Sequence, residues 1–184
     1  MTDGDDAGVS VTIRPELPVD RESVLEVERL AFQQARDGNE ADDIVEAIRA
    51  VCDEAGSFAL VAELDEVIVG HVQFSRAWVG DSPLVILGPV GVLPDHQRRG
   101  IGSKLIRRGL EEAQGRGEPA VILLGDPRFY RRFGFVAGST FGLRNPQVGV
   151  QSNGFVILEE HFMIVPLDER AESLVGPVQW SPAL

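Results

Sequence analysis

A short stretch of this chain combines residue types and a spacing that can hold a phosphate group. The run Gln97-Arg98-Arg99-Gly100-Ile101-Gly102 lies between an apolar segment and a segment with the pattern of a helix. Its two glycines let backbone N–H groups approach a ligand that side chains at those positions would block. The first N–H groups of a helix have no internal partner, and the positive end of the helix dipole lies there. The run therefore predicts a phosphate site.

The glycine spacing excludes two familiar phosphate loops. A Walker A loop needs Gly-Lys-Ser/Thr after a longer glycine spacing, and the dinucleotide fingerprint needs three glycines. Neither pattern is present in the run. The competing interpretation is a tight turn between a strand and a helix that binds no ligand.

The elements around the run must position it. Leu84–Leu93 has the pattern of a buried strand, Ser103–Gln114 that of a helix, and Ala120–Leu124 that of the next strand. Gly88-Pro89 interrupts the first of these strands, and proline cannot donate to a β-ladder. If the Ala120–Leu124 strand departs there, the backbone groups that follow Pro89 lose their partners, which is costly when they are buried. A ligand with amide groups could pair with them as an extra strand.

The rest of the chain predicts a mixture of helices and strands around this centre. Asp20 is a good N-cap for a first helix that runs to about Arg36, and a second helix follows. Two β-rich runs separated only by Asp65-Glu66 predict a hairpin, and the segment after them, Arg76–Pro83, predicts a loop. Asp126 and Pro127 predict a very short helix. The last strands are predicted at Phe155–Leu158, Phe162–Leu167 and Val178–Trp180.

Composition sets limits on the class of protein. The chain has 184 residues, 43% hydrophobic and 25% charged, as in an ordinary soluble domain. No run reaches the roughly 18 apolar residues of a membrane helix. The acidic residues 1–9 predict a disordered tail rather than a signal peptide, so we expect a cytoplasmic protein without a membrane partner. Cys52 is the only cysteine, which excludes a disulfide framework and a cysteine-based metal site, and we predict no metal.

The charge is strongly acidic but unevenly distributed. The net charge of −12 argues against a nucleic-acid partner. The segment from Pro94 to Arg116 nevertheless carries six basic and three acidic residues, so that it is locally positive where the phosphate site is predicted. A solvated helix face with Arg/Glu pairs is the alternative explanation for part of this cluster.

Several motifs of the chain resemble the GNAT superfamily of N-acetyltransferases. Val90-Gly91-Val92-Leu93-Pro94 followed by the Gln97–Gly102 run resembles the family's acetyl-CoA strand and diphosphate loop, and Phe129–Phe135 resembles its closing segment. Three further stretches resemble the YhbS-like branch: Gly70-His71-Val72, Leu124-Gly125-Asp126-Pro127 and Gln179-Trp180-Ser181-Pro182-Ala183. The resemblance runs from about Val11 to the C-terminus and is weakest over Ala137–Glu160, where acceptor choice would lie.

The resemblance implies a fold and a cofactor site. The fold is α/β (α+β), a mostly antiparallel mixed sheet of about seven strands, splayed at strands four and five and flanked by about four helices, in one domain over residues 10–184. Acetyl-CoA is the implied co-substrate, with no metal. Its two pantetheine amides would pair with Val90, Gly91 and Val92. Its diphosphate would bind at Gln97, Arg98, Arg99, Gly100, Ile101, Gly102 and Ser103.

The resemblance also implies a reaction in which an amine attacks the thioester directly. Tyr130, the only tyrosine, matches the family's tyrosine near the sulfur and is the candidate general acid; aromatic packing is the alternative. The residue that removes the amine proton is not identified by any motif. Glu63 and His71, on adjacent predicted strands, are the candidate bases, and a water chain is an alternative.

Two functions from different classes follow from these features. The first is an acetyl-CoA-dependent N-acetyltransferase that acts on a primary amine of a small molecule or of an exposed peptide. The second is a catalytically silent CoA-binding module that acts as a sensor or partner subunit. A weaker option is a different acyl donor, and a homodimer through the last strands is a possible assembly.

Overall fold

The computed structural model describes residues 11–33, 39–51, 54–150 and 156–181. The predicted acidic tail and Cys52 fall outside these ranges. The strands are β1 (Thr12–Pro15), β2 (Phe58–Leu64), β3 (Val67–Val79), β4 (Ser82–Val92), β5 (Ala120–Leu124), β6 (Val136–Ala137), β7 (Leu143–Arg144), β8 (Gly149–Val150), β9 (Val156–Ile157), β10 (Phe162–Pro166) and β11 (Gly176–Trp180). The helices are α1 (Arg21–Gln33), α2 (Asn39–Val51), α3 (Ile101–Gly115) and the single turn α4 (Pro127–Tyr130).

One large sheet collects strands from the whole length of the described chain. Its order is β1-β2-β3-β4-β5-β10-β6, and β11 pairs with both β3 and β7. The pairs are antiparallel except for β4 with β5 and β7 with β11. This is the predicted α/β class, with a mixed, mostly antiparallel sheet and, in the part of the chain that the structure describes, four α-helices. The sheet has nine strands among the described residues, where about seven are predicted, and the two-residue strand β7 has no strand pattern in the sequence.

The sheet separates two layers of helices. Leu105 and Ile106 of α3 pack on one face, which we call the α3 face, together with Phe74 of β3. On the opposite face, the α1 face, Val24 and Val27 of α1 pack against β2 and β3. The second helix covers α1 through Val45 and Ile48. No helix in the described ranges is both long enough and apolar enough to cross a bilayer.

The third and fourth strands form a longer hairpin than the sequence predicts. The Arg76–Pro83 segment, predicted as a loop, is instead the end of β3, a turn at Gly80-Asp81 and the start of β4. The prediction was wrong because β11 pairs with this part of β3 along the edge that β2 leaves free. The pairing buries Ala77 and Val79, and such a partner from the far end of the chain has no local sequence signal.

Other local predictions are confirmed or corrected in detail. The hairpin at Asp65-Glu66 forms, with both residues at positive φ. Asp126 caps α4 by accepting the Arg128 backbone N–H at 2.8 Å. Asp20 does not cap α1, because a short 3₁₀ turn leads directly into that helix. The Asp20 carboxylate instead accepts the Leu17 N–H at 2.8 Å.

Gly109 in α3 allows the helix to lie directly on an aromatic ring of β3. A Cβ at Gly109 would fall 2.3 Å from the Phe74 ring carbons Cε2 and Cζ. Gly109→Ala should therefore lower the free energy of unfolding by about 1–3 kcal/mol, despite the better helix propensity of alanine. Urea unfolding measures the change. Gly115→Ala is the matched control, since a Cβ there meets no atom within 4 Å; equal losses in both variants would contradict the close contact.

Candidate functional site

The outer edge of β4 has unpaired backbone groups beyond its midpoint. The Leu93 N–H donates to the Val69 oxygen of β3 at 2.9 Å, and successive residues of a strand point their N–H groups to opposite sides. The N–H and C=O groups of Val90 and Val92 therefore point away from β3. On that side β5 pairs with β4 only at Val85 and Ile86. This is the predicted splay between the fourth and fifth strands.

The backbone groups of Gly91 do not point to the open edge, where the sequence predicts them. It pairs with His71 across the β3–β4 ladder, so its backbone groups face β3 rather than the open edge. Its lack of a side chain matters on the α1 face, where a Cβ would fall 2.5 Å from the Oε2 atom of Glu28. Of the three residues predicted to pair with the pantetheine, Val90 and Val92 thus offer open-edge groups. One of these groups is engaged, because Gln97 Nε2 donates to the Val92 oxygen at 3.0 Å.

The helix that follows β4 begins at its predicted loop with a left-handed turn. Gly100 has φ of 79° and occupies the N-cap position of α3 without a capping side chain. The first backbone N–H groups of α3 therefore lack internal partners. Gly102 lies over the open edge, since a Cβ there would be 3.8 Å from Val92 and 4.0 Å from Val90. An extended ligand with amides and a diphosphate fits this arrangement of strand edge and helix start.

The basic residues around the loop divide into two groups. Arg108 and Arg116 pair with Glu112 within 3.5 Å, and the Arg107 guanidinium lies 5.2 Å from the centre of the Phe133 ring. These side chains stabilise the helix surface. The others form no ion pair among the described residues and are exposed at the start of α3; they are Arg98, Arg99 and Lys104.

Tyr130 lies in an aromatic cluster beside the end of β5. Its ring makes edge contacts with Phe129 and Phe135, at 5.0 and 5.9 Å between ring centres. The ring also covers Gly125, where a Cβ would fall 2.2 Å from Cε2. Burial raises the pKa of Tyr130 to about 12, so the hydroxyl keeps its proton at neutral pH.

The two candidate bases lie in different surroundings. Glu63 on β2 accepts from Arg14 Nε at 2.8 Å, and Arg14 also pairs with Asp20. Glu63 is thus half-buried in an ion-pair cluster two strands away from β4. His71 on β3 is adjacent to Gly91 of β4 and is completely buried. The structure therefore brings His71, but not Glu63, to the strand that carries the open edge.

His71 is held between two carboxylates that the sequence interpretation did not include. Its Nδ1 lies 2.7 Å from Glu28 Oε1 of α1, and its Nε2 lies 3.4 Å from Glu16 Oε2. Burial alone would lower the pKa of His71, but the two carboxylates raise it to about 9. Burial raises the pKa of Glu28, which the hydrogen bond to His71 opposes. A cationic imidazole cannot accept a proton, so the geometry favours a positioning role for His71.

Glu28 is a candidate functional residue that the sequence predictions did not include. It lies four residues after Val24 on the buried stripe of α1 and is completely buried. A glutamate on an apolar helix stripe needs a partner, because an unpaired buried charge is costly. Such a position is therefore a candidate for function. No group of side chains suited to a metal ion is found in the described part of the chain.

The charge on His71 predicts that stability depends on pH in the alkaline range. The pKa of His71 in the folded protein, about 9, lies above the ordinary histidine value of 6.5, so folding favours the protonated imidazole. The resulting stabilisation is complete below pH 6.5 and is lost as the pH rises through about 9. Urea unfolding over this range should show a falling free energy of unfolding. His71→Gln should flatten that part of the profile, and an unchanged slope would contradict the assignment.

Comparison with known proteins identifies the family to which this chain belongs. The chain matches the model of the Acetyltransferase (GNAT) family over residues 21–135 and belongs to that family. It is similar to the N-acetyltransferase YhbS of Escherichia coli, with 31% identity over 76% of this chain and 82% of that one. It is 34% identical to the N-acetyltransferase YjhQ of Escherichia coli over 63% of this chain, a match that spans only 64% of YjhQ.

Two solved structures have the same fold. The structure of Escherichia coli YhbS in complex with CoA matches with a TM-score of 0.78 and 27% identity, covering 100% of this chain and 94% of that one. A GNAT family acetyltransferase from Brucella melitensis in complex with acetyl-CoA matches with a TM-score of 0.71 and 32% identity, covering 95% of this chain and 98% of that one. The predicted GNAT fold is thereby confirmed.

Proposed function

We propose that the protein is an acetyl-CoA-dependent N-acetyltransferase that transfers acetyl to a primary amine of a small molecule or exposed peptide by direct attack in a ternary complex. One observation carries the proposal. The open edge of β4 continues into the uncapped start of α3, so amide partners and a diphosphate site follow one another along the chain. The CoA complex of YhbS and the acetyl-CoA complex of the Brucella melitensis protein support the choice of ligand.

Different residues of this edge bind different parts of the cofactor. Val90 and Val92 pair with the pantetheine amides, and a backbone N–H of this edge polarises the thioester carbonyl. The diphosphate binds at the start of α3, where the first backbone N–H groups point outward. Arg98, Arg99 and Lys104 supply positive charge around it. The full set that we propose for the diphosphate loop is Gln97, Arg98, Arg99, Gly100, Ile101, Gly102 and Ser103.

Tyr130 is the proposed donor to the departing sulfur. A free thiol has a pKa near 8.5, so complete proton transfer from a phenol with pKa about 12 to a solvated thiolate is unfavourable. Burial also raises the pKa of the thiol, which narrows the gap between the pKa of the thiol and the pKa of Tyr130. The Tyr130 hydroxyl therefore donates a hydrogen bond to the thiolate while the thiolate forms. The Tyr130 proton is transferred to the sulfur afterwards.

The second candidate function is the silent CoA-binding module. It is favoured by the state of the candidate bases, since Glu63 is paired with Arg14 and His71 is buried between carboxylates. It shares every proposed cofactor contact with the enzyme. Association as a homodimer also stays a prediction.

Turnover separates the two functions. The experiment measures thiol release from acetyl-CoA in the presence of a panel of primary amines, with mass spectrometry of the products. The enzyme should acetylate at least one amine and release one thiol for each product. Acetyl-CoA binding by calorimetry without turnover for any amine would favour the module, and absence of acetyl-CoA binding would contradict both.

A further inference from the structure

A stripe of buried polar side chains runs along the α1 face of β3. His71, Gln73 and Ser75 occupy three successive positions on that face, and each is at most 1% exposed. Gln73 Nε2 points to the carbonyl oxygens of Phe58 and Phe74, at 3.4 and 3.2 Å. This orientation leaves Gln73 Oε1 without a hydrogen-bond partner among the described residues, and the Ser75 hydroxyl has none there either.

The stripe lies beside the irregular part of β4. The β3–β4 register shifts between Val72 and Phe74, which places Gln73 opposite Gly88-Pro89. This is the point at which β5 has already left β4 and the open edge begins. The unpartnered Gln73 oxygen therefore lies on the α1 side of the strand segment that would carry the thioester. Ser75 is the next residue on the same face, opposite Ile86, the last β4 residue that pairs with β5.

Apolar clusters bound the stripe at both ends. Val61 and Ile68 pack with α1 at the end near His71. Ala77 and Leu84 belong to a second cluster beyond Ser75, which the C-terminal segments cover. Polar residues between two apolar clusters cost stability unless their groups are satisfied, because burying an unpaired polar group is unfavourable. A stripe that served packing alone would be apolar or fully hydrogen-bonded.

The charged groups beside the stripe make it suitable for a cation. The groups that face His71 are Glu28 of α1 and Glu16 at the end of β1, while β2 and β4 present Val61 and Gly91. Two carboxylates thus face one imidazole, so acidic groups outnumber basic ones in this cluster. The Gln73 carbonyl oxygen can only accept hydrogen bonds, and so can the Glu28 carboxylate when it is ionised. The stripe is thus matched to a ligand that donates several N–H bonds.

We propose that Glu28, Gln73 and Ser75 form the subsite for the acceptor's primary ammonium group, with His71 and Glu16 positioning Glu28. The Gln73 and Ser75 oxygens accept N–H bonds from the ammonium, and Glu28 takes one proton from it. The freed nitrogen lone pair forms the new C–N bond as the C–S bond breaks. Tyr130 gives its proton to the departing thiolate, a second N–H proton from the acylated nitrogen restores the Tyr130 hydroxyl, and Glu28 returns its proton to solvent. This inference rests on the proposed acetyltransferase function.

The test compares a minimal amine with its uncharged counterpart. n-Butylamine and 1-butanol are offered to the protein with acetyl-CoA, and thiol release is measured as a function of each concentration and of pH. The wild type should be accelerated by n-butylamine and not by 1-butanol. Ser75→Ala and Gln73→Met should each raise the KM for n-butylamine about tenfold and leave the KM for acetyl-CoA unchanged.

Glu28→Gln tests the proton acceptor. It should lower kcat/KM for n-butylamine about a hundredfold and abolish the fall in rate on the acidic side of the pH profile. Glu118→Gln is the matched buried carboxylate, since Glu118 pairs with Arg76 away from the stripe, and Ser82→Ala is the matched exposed serine. Both controls should keep wild-type kinetics.

The outcomes separate this inference from the proposed function. If stripe variants change only stability and keep the KM for n-butylamine, the stripe holds buried water and the subsite is wrong. If acetyl-CoA binds but n-butylamine never accelerates thiol release, the subsite is again wrong while cofactor binding stands. If Glu28→Gln does not fold, the Ser75→Ala and Gln73→Met kinetics decide. Absence of acetyl-CoA binding would overturn the proposed function itself.

Discussion

Gly100→Val should abolish acetyl-CoA binding in a protein that still folds. The φ of 79° at Gly100 is strained for any L side chain, and a β-branched residue there forces the loop to change its conformation. The first N–H groups of α3 then no longer point together at the diphosphate. Loss of two charge-assisted hydrogen bonds of about 1.5 kcal/mol each raises the Kd by about a hundredfold or more. Calorimetry measures the binding.

The control for this variant is another strained glycine on the same helix. Gly117 follows the other end of α3, has φ of 76° and is exposed, and a Cβ there meets no atom within 4 Å. Gly117→Val therefore introduces similar backbone strain far from the loop and should keep wild-type affinity. Gly102→Val adds methyl groups over Val90 and Val92 and should weaken binding at ordinary φ. Equal affinity for Gly100→Val and Gly117→Val would refute the loop assignment.

Tyr130→Phe should lower kcat about a hundredfold with little change in the KM for acetyl-CoA. The variant keeps the ring that packs on Phe129 and Phe135 and removes only the hydroxyl that stabilises the departing thiolate. Because the pKa of Tyr130 is about 12, its ionisation should not lower the wild-type rate below about that pH. Steady-state rates over a pH series measure both effects.

A second variant displaces the hydroxyl without removing it. Gly125→Ala places a Cβ 2.2 Å from Tyr130 Cε2 in the present arrangement, so the ring must move. Gly125→Ala should lower kcat, as Tyr130→Phe does. If both variants keep the wild-type kcat, solvent rather than Tyr130 supplies the proton, and aromatic packing explains the residue.

The strand edge and helix start of the proposed cofactor site could be predicted from sequence because their determinants are local. Gly100 indicates the left-handed turn at the start of α3, and Pro89 indicates the place where a neighbouring strand departs. Both are backbone properties that one or two residue types express directly. The short helix at Asp126 follows from capping in the same way.

The proposed acceptor subsite could not be predicted in the same way because it depends on contacts between distant segments. Glu28 and His71 are 43 residues apart, and nothing in either neighbourhood indicates that they form a buried hydrogen bond. The pairing of β11 with the end of β3 is also distant in sequence, and it turned a predicted loop into strand. His71 was identified as a candidate from its chemistry, but the carboxylates that change its charge were not.

The open edge of β4 and the start of α3 form the proposed binding site for CoA. Amide exchange followed residue by residue by NMR tests it most directly. On saturation with acetyl-CoA, the Val90 and Val92 amides should become protected, whereas the Gly91 amide, which does not face the open edge, should change little. Saturable binding that leaves Val90 and Val92 as exposed to exchange as before would place the ligand elsewhere and contradict the account.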